Sequence, residues 1–454
     1  MMKRSPFLLL FCFLVSCGPL LKTTYQPPQV ALPPSWQNGS GVVESEDAAW
    51  WTRFQDPILN QLIKDVLAQN NDLAAAALDV KKARLEADLA LDQYLPDVSS
   101  STSYSDQHKL YGTRTRTKSY AASLTVGYEV DLWGKLAREL ESAEWEAQAT
   151  EADRQSTAIE LVATTMQLYW KLGYLNERIE SSEKSIAYAE KTLSLVEVQH
   201  KEGAASALEV LSVRQNLSKQ KASHKQYLQE KVETQNAFNI LFNAPPEETN
   251  ITLCMLSRGK IPDVAEHAPS LLLHKRPDIR AAELRLRKVL ADKDATLSSY
   301  LPSFSLTGSV GSSSISLKDV LTNPIGTLGA GVTLPFLNWY DARKNVQVSA
   351  VTYEKAVVEF RQTLYRAFAD VEDALAARRH DGEKGKELQS ALDDAKKSEA
   401  LYALRYKEGY SDLQAWLDAQ EARRAVELSV LENRYDHLVD ALTLYKALGG
   451  ADTL

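Results

Sequence analysis

Two hydrophobic periods share this chain. From Ser119 to Leu132 the period is two: Tyr120, Ala122, Leu124, Val126, Tyr128, Val130 and Leu132 are apolar or aromatic, and the residues between them are small or polar. Strict alternation gives a strand one oily face and one wet face. The pattern returns in Leu328, Ala330, Val332, Leu334 and Phe336, which alternate with Thr327, Gly329, Gly331, Thr333 and Pro335. Phe304, Leu306 and Val310 alternate with Ser303, Ser305, Thr307 and Ser309, and Val98 to Asp106 carries the pattern weakly, through Val98 and Tyr104. Four strands are therefore predicted, in hairpins at about 97–132 and 303–337.

The second period is helical. Leu161, Leu168, Leu175, Ala189 and Val196 are spaced by seven or its multiples, with Leu172, Ile179, Ile186 and Leu193 as a second row. This is a coiled-coil seam. Ile159, Val162, Met166 and Tyr169 lie off it, so the helix has apolar flanks on two sides. No proline occurs between Gly134 and Pro245, or after Asp341. A helix from Gly134 to Lys201 would run about 100 Å at 1.5 Å per residue, too long for a compact core. Gly203 and Gly409 end such helices. Ser206-Ala207-Leu208-Glu209 reads as a capping box for the return helix, and Ser411-Asp412-Leu413-Gln414 is expected to do the same in the second half.

These parts come twice. Asp72-Leu73 through Tyr94-Leu95-Pro96 matches Asp278-Ile279 through Tyr300-Leu301-Pro302, and Lys201-Glu202-Gly203 matches Lys407-Glu408-Gly409, both at an offset of 206. The repeats are placed at 48–244 and 270–454, with a linker at 245–269. Within each, helices Asp72 to Tyr94 and Asp278 to Tyr300 lead into the hairpins.

Composition adds little until the N-terminus is considered. The net charge of −8 argues against nucleic acid as a partner, since phosphate binding needs a basic face. Lys3 and Arg4 precede an apolar run from Phe7 to Val15, with Ser16 before Cys17. That is a secretory signal, residues 1–16, too short to span a bilayer as a helix. Leu14-Val15-Ser16-Cys17 reads as a lipobox, which makes Cys17 the lipidated first mature residue. Gly18 in place of Asp then favours the outer membrane, by similarity to other lipoproteins. With Cys12 removed and Cys17 modified, Cys254 alone remains, so no intrachain disulfide is possible, and Cys254 between Leu253 and Met255 reads as a small buried apolar residue. Residues 17–47, rich in proline, are expected to be an extended tether.

No apolar run of eighteen residues follows, so any crossing of a membrane must use the strands. Small residues on their wet face leave room for water, whereas a soluble sheet would show Lys or Glu there. Four strands cannot close a barrel, and open edges do not survive in lipid, so strands must be shared among copies. The count alone leaves two, three or four copies open. A non-conducting periplasmic coiled-coil lipoprotein scaffold is the competing reading. An enzyme is disfavoured: the seven histidines fall in no metal spacing, and neither a nucleophile-elbow motif nor a phosphate loop occurs. Arg114, Arg116 and Lys118 form a basic hairpin tip, either a solvated loop or a contact for lipopolysaccharide phosphates.

Tyr25-Gln26-Pro27, Trp50-Trp51-Thr52-Arg53-Phe54-Gln55-Asp56-Pro57, Lys275-Arg276-Pro277-Asp278-Ile279 and Leu417-Asp418-Ala419-Gln420 carry a further signal. With them the whole mature chain resembles the TolC-like outer-membrane efflux proteins, in the lipoprotein branch that serves tripartite multidrug pumps. The resemblance implies a mainly α protein with a membrane β-barrel: four strands per protomer, a trimer with twelve strands, and a long α-helical barrel crossing the periplasm. It implies a passive exit duct with no cofactor, a periplasmic adaptor and an inner-membrane RND-type pump as partners, and outer-membrane lipid around the barrel. An exit channel for type I protein secretion is the near alternative. The turns at Gly203 and Gly409 correspond to the periplasmic mouth. Asp418 falls on the family's acidic ring and Gln414 on a position often apolar in relatives, a departure from the hydrophobic part of the family's seal. Asp418 alone also reads as a solvated helix residue. Its counterpart in the first repeat is Ser212.

Overall fold

The computed structural model describes residues 21–31, 33–38, 49–112, 115–245, 256, 261–262 and 275–450. The signal segment, Cys17, Cys254 and Arg114 lie outside the described residues. The elements follow in order as α1 (Pro57–Gln69), α2 (Asn71–Asp92), β1 (Asp97–His108), β2 (Arg116–Val130), α3 (Lys135–Lys201), α4 (Ala207–Leu241), α5 (Pro277–Ser299), β3 (Ser303–Ser314), β4 (Ile325–Thr333), α6 (Trp339–Lys407) and α7 (Leu413–Ala447). The offset of 206 carries β1 onto β3 and α4 onto α7 at both ends. The two long helices have 67 and 69 residues, and the two return helices 35 each. No helix among the described residues is long and apolar enough to cross a membrane.

Local chemistry explains most of the ends. Asp56 caps α1, accepting from the Ile58 and Leu59 amides ahead of Pro57 at the first turn. The β4 pattern was expected to run on through Leu334 and Phe336, but the strand stops at Thr333 and Pro335–Leu337 forms a 3-10 turn. Proline has no N–H for the ladder, which outweighs the alternation. Likewise β2 stops at Val130, not Leu132. Asp131 accepts from the Ala137 amide and so satisfies a free donor at the start of α3.

The chain divides into two compact units. The first comprises Met1–Val30, Ala77–Ala152 and Arg280–Thr363 and holds the sheet. The Trp133 indole donates to the Pro302 carbonyl at 2.7 Å, tying the exit of β2 to the approach to β3. Burial, with Asp131 beside it, pushes the Tyr94 hydroxyl up to about 12. The proline-rich segment docks here rather than hanging free: the Thr23 amide and hydroxyl both donate to buried Asp294 at 2.7 Å, and Arg287 lies over the Tyr25 ring.

The second unit comprises Ala31–Ala76, Asp153–Ile279 and Leu364–Leu454. The motif tryptophans are core here: Trp50 stacks on Tyr445 at 5.1 Å and Phe54 tilts against Trp170 at 4.9 Å. Arg276 grips Asp278 and Asp370 and donates to the Ala447 carbonyl. Leu161, Leu172, Leu175 and Val196 of the seam are buried, and so are the off-seam Val162, Met166 and Tyr169. The middle of α6 approaches α7 closely: a Cβ on Gly385 would lie 2.6 Å from Asn433 Oδ1, and one on Gly382 3.5 Å from the His437 ring. Beside this joint, burial and the adjacent Asp381 carboxylate push Asp440 up to about 7, with Asp436 raising it further and Lys384 opposing.

Candidate functional site

Two places carry the functional signals: the sheet in the first unit and the helix turns in the second. The sheet is a four-stranded antiparallel meander in the order β1-β2-β3-β4. Residues directly opposite in such ladders share a face. Val98 pairs with Val126, Tyr104 with Tyr120, Leu124 with Val310, Tyr128 with Leu306, Val130 with Phe304, and Phe304 with Val332. Every large apolar residue of the four strands except Ile325, which pairs with Gly311 at the start of β4, therefore falls on one face. The other carries Ser99, Ser101, Ser103, Ser123, Thr125, Thr307, Ser309 and Thr327.

The oily face is uncovered by protein: Leu328 is 92% exposed, Val98 62% and Val310 56%. Surface of that kind is stable only against lipid or another apolar surface. The wet face is close-set. Ser101 and Ser123 share a hydrogen bond of 2.9 Å, and a Cβ on Gly331 would meet Ser305 Oγ at 2.9 Å. A larger residue there would require the Ser305 hydroxyl to turn away. At twelve, fifteen, twelve and nine residues, the strands are of the length required to cross a hydrocarbon layer at a tilt. β1 and β4 each leave one edge of the ladder open.

The basic hairpin tip is partly neutralised. Arg116 forms a fork on Asp106, with Nε–Oδ1 at 2.9 Å and Nη2–Oδ2 at 2.5 Å. The sequence pattern hid this partner because it lies across the hairpin.

At the two helix turns of the second unit the glycines act through backbone. Gly203 and Gly409 both have φ of +78°, and a Cβ on either would touch nothing within 4 Å. Each is the left-handed residue of a Schellman motif. Ala204 donates to the Gln199 carbonyl and Gly203 to His200; Tyr410 donates to Arg405 and Gly409 to Tyr406. The expected Ser206–Glu209 capping box is present. In the second repeat the expectation fails by one residue: Asp412, not Ser411, caps α7, accepting from the Ala415 amide at 2.9 Å. With Ala415 at the third position there is no side chain to return the bond. The offset of 206 from Ser206 points to Asp412 directly.

Between the turns lies a small core of Val196, Val210, Val213, Leu413, Trp416 and Leu417. Tyr406 stacks on Trp416 at 5.3 Å, and its hydroxyl donates to Gln199 Oε1 at 2.6 Å. Sequence reading missed Trp416, Tyr406 and Gln199. A tryptophan between two tip residues was the available signal. Gln414 and Asp418 sit one turn apart on the exposed side of α7, and Gln414 Nε2 donates to Asp418 Oδ1 at 2.7 Å. The two are thus brought together within one protomer. Arg423 pairs with Glu399 and Glu427 further along the same helix.

Comparison with known proteins agrees with this arrangement. The family described as "Outer membrane efflux protein" matches residues 62–243 and 268–450. The chain is 29% identical over 402 residues to "Toxin and drug export protein A" of Aggregatibacter actinomycetemcomitans, covering 88% of each. It is 29% identical over 451 residues to the pyoverdine export outer membrane protein OpmQ of Pseudomonas putida, covering 96% of each. Among solved structures, the open state of the Neisseria gonorrhoeae MtrE outer membrane channel superposes with a TM-score of 0.84 at 26% identity, covering 95% of this chain and 99% of that one. Two repeats, two strand hairpins with one oily face, and two helix turns on a common frame place this chain in the outer membrane efflux protein family.

Proposed function

We propose that three copies of this chain form a passive exit duct in the outer membrane, fed by an inner-membrane RND-type pump through a periplasmic adaptor. The observation that carries the reading is the sheet, with one continuous oily face, one small polar face and two open edges. Edges exposed to lipid would strand backbone donors and acceptors, so they pair between copies, and the polar faces line the pore. The partners match the tips: Leu208, Leu211, Leu401, Leu404 and Tyr410 are exposed apolar residues near the two turns, a surface for adaptor helices. Cys17 carries the lipid that holds the N-terminus to the membrane. Residues 1–16 are the signal, 17–47 the anchored lead, 48–244 and 270–454 the repeats, and 245–269 their connection.

The mouth is narrowed by Asp418, one from each copy, with Gln414 holding each carboxylate in place. Three carboxylates around one axis favour cations and repel anions. The experiment is single-channel recording in planar bilayers. Purified protein is expected to conduct as a trimer with cation preference, and Asp418→Ala to raise conductance and weaken that preference. Absence of any conductance would overturn the duct, and an unchanged Asp418→Ala channel would overturn the aperture.

A further inference from the structure

At the helix end of the sheet, each open edge leads directly into unburied apolar residues. β4 runs toward the helices and leaves through Leu334, Phe336, Leu337, Trp339 and Tyr340, which are 42%, 45%, 68%, 65% and 61% exposed. At the opposite edge, the chain reaches β1 through Leu91, Leu95 and Val98, which are 49%, 58% and 62% exposed. A groove of about 700 Å³ opens there, lined by Asp92, Leu95, Asp97, Val98, Glu129 and Lys135 among others.

The topology matches these two surfaces. β1 runs away from the helices and β4 toward them, so β4 of one copy meets β1 of the next antiparallel. The end of β4 then lies beside the start of β1, and the residues just past Thr333 face those just before Asp97. Charge agrees as well. The groove presents three carboxylates against one lysine, while the first turns of α6 present exposed Arg343 and Lys344 against one carboxylate, Asp341. The elbow is stiff: Pro335 opens its 3-10 turn, and Trp339 sits edge-on to Tyr340 at 6.0 Å. A rigid aromatic wedge loses little side-chain freedom on docking.

We propose that the Leu334–Tyr340 elbow of each protomer seats in the Leu95–Lys135 groove of the next copy, locking every seam of the barrel at its helix end. The proposal rests on the shared-barrel reading and adds a second contact to the strand pairing. In the oligomer, Trp339 is buried and Arg343 faces Asp92 and Asp97.

The test is cysteine cross-linking of the full-length lipidated chain in a Cys254→Ser background. Leu95→Cys with Leu337→Cys is expected to give covalent dimers and trimers on mild oxidation or with a short bis-maleimide, and neither single variant should. Val98→Cys with Leu334→Cys is the second pair, guarding against a local misfit. Native mass spectrometry of the unsubstituted protein reports the trimer separately. A trimer in which neither pair cross-links overturns the wedge and leaves the shared barrel standing, and an unsubstituted protein that stays monomeric overturns both. Asp97→Arg is expected to weaken the trimer in detergent, with Arg343→Asp restoring part of the loss. Failure of that rescue in a trimer that does cross-link counts against the charge pairing.

Discussion

The two repeats share a backbone plan and part company in their side chains. Their turns agree to the degree, with φ of +78° at both Gly203 and Gly409 and the same Schellman bonds. Their return helices do not agree. α4 buries Val210, Val213, Leu217 and Gln220 along one stripe, whereas α7 buries Leu413, Trp416, Leu417, Ala419 and Gln420 over a wider arc. Trp416 replaces Val210, and Leu417 is 6% exposed where its counterpart Leu211 is 59% exposed. Asp418 stands where the first repeat has Ser212, and Asp440 where it has Thr234. Duplication kept what turns and caps require and released what packs between them. The frame is nearly twofold within a chain, while Asp418 and Asp440 belong to the second repeat alone.

The sharpest way to break the comparison is at the tip core. Trp416→Ala is expected to cost about 3–5 kcal/mol and Val210→Ala roughly 2 kcal/mol, because the larger side chain leaves the larger cavity. Hydrogen exchange at the turns would register the difference as local opening. Equal protection loss in the two variants would mean that the second repeat does not dominate the tip.

The glycines should instead behave alike. Gly203→Ala and Gly409→Ala are each expected to cost about 1–2 kcal/mol, set by left-handed backbone and not by crowding. Thermal denaturation would show it, and Asn at either site should recover much of the loss. Caps separate the repeats more finely. Ser206→Ala and Asp412→Ala should each cost about 1 kcal/mol, while Ser411→Ala should cost close to nothing.

The last contrast is one of slope. Asp440 in the folded chain holds its proton up to about 7, above the ordinary carboxylate value of 3.8, chiefly through burial and Asp381. The folded state therefore binds a proton that the unfolded chain releases at lower pH. Its stabilising share is complete below about 3.8 and fades as pH rises toward 7. Asp436 and Glu432 add negative charge at this joint, Lys384, Lys171 and Arg378 add positive charge, and burial holds the His437 imidazole below its ordinary value. Asp440→Asn should flatten the melting temperature over this range, whereas Thr234→Ala in the first repeat should leave the slope intact.

Much of the molecule was legible in advance because it follows from periods and local chemistry. A period of two marked three strands clearly and β1 weakly, and the ladders gather their apolar residues, Ile325 aside, on one face from Val98 to Val332. Glycine at a helix end fixed both turns, and the offset of 206 fixed the repeat. The misreadings came where one residue's chemistry overrode a pattern. Pro335 cut β4 short by removing an N–H, and Asp412 displaced Ser411 because the cap must sit one residue before the first turn.

Sequence alone thus determined the elements, the alternation that calls for lipid and the left-handed turns, since each depends on residues close along the chain. Tertiary structure alone decided which side chains meet. Tyr406 finds Gln199, Asn433 fills the space left by Gly385, Thr23 satisfies Asp294, and Arg116 spends its charge on Asp106. Those partners lie ten to some 270 residues apart, and no pattern along a chain records a contact made only when distant segments pack. The same reasoning places the last decisions, at the open edges of the sheet, beyond a single chain.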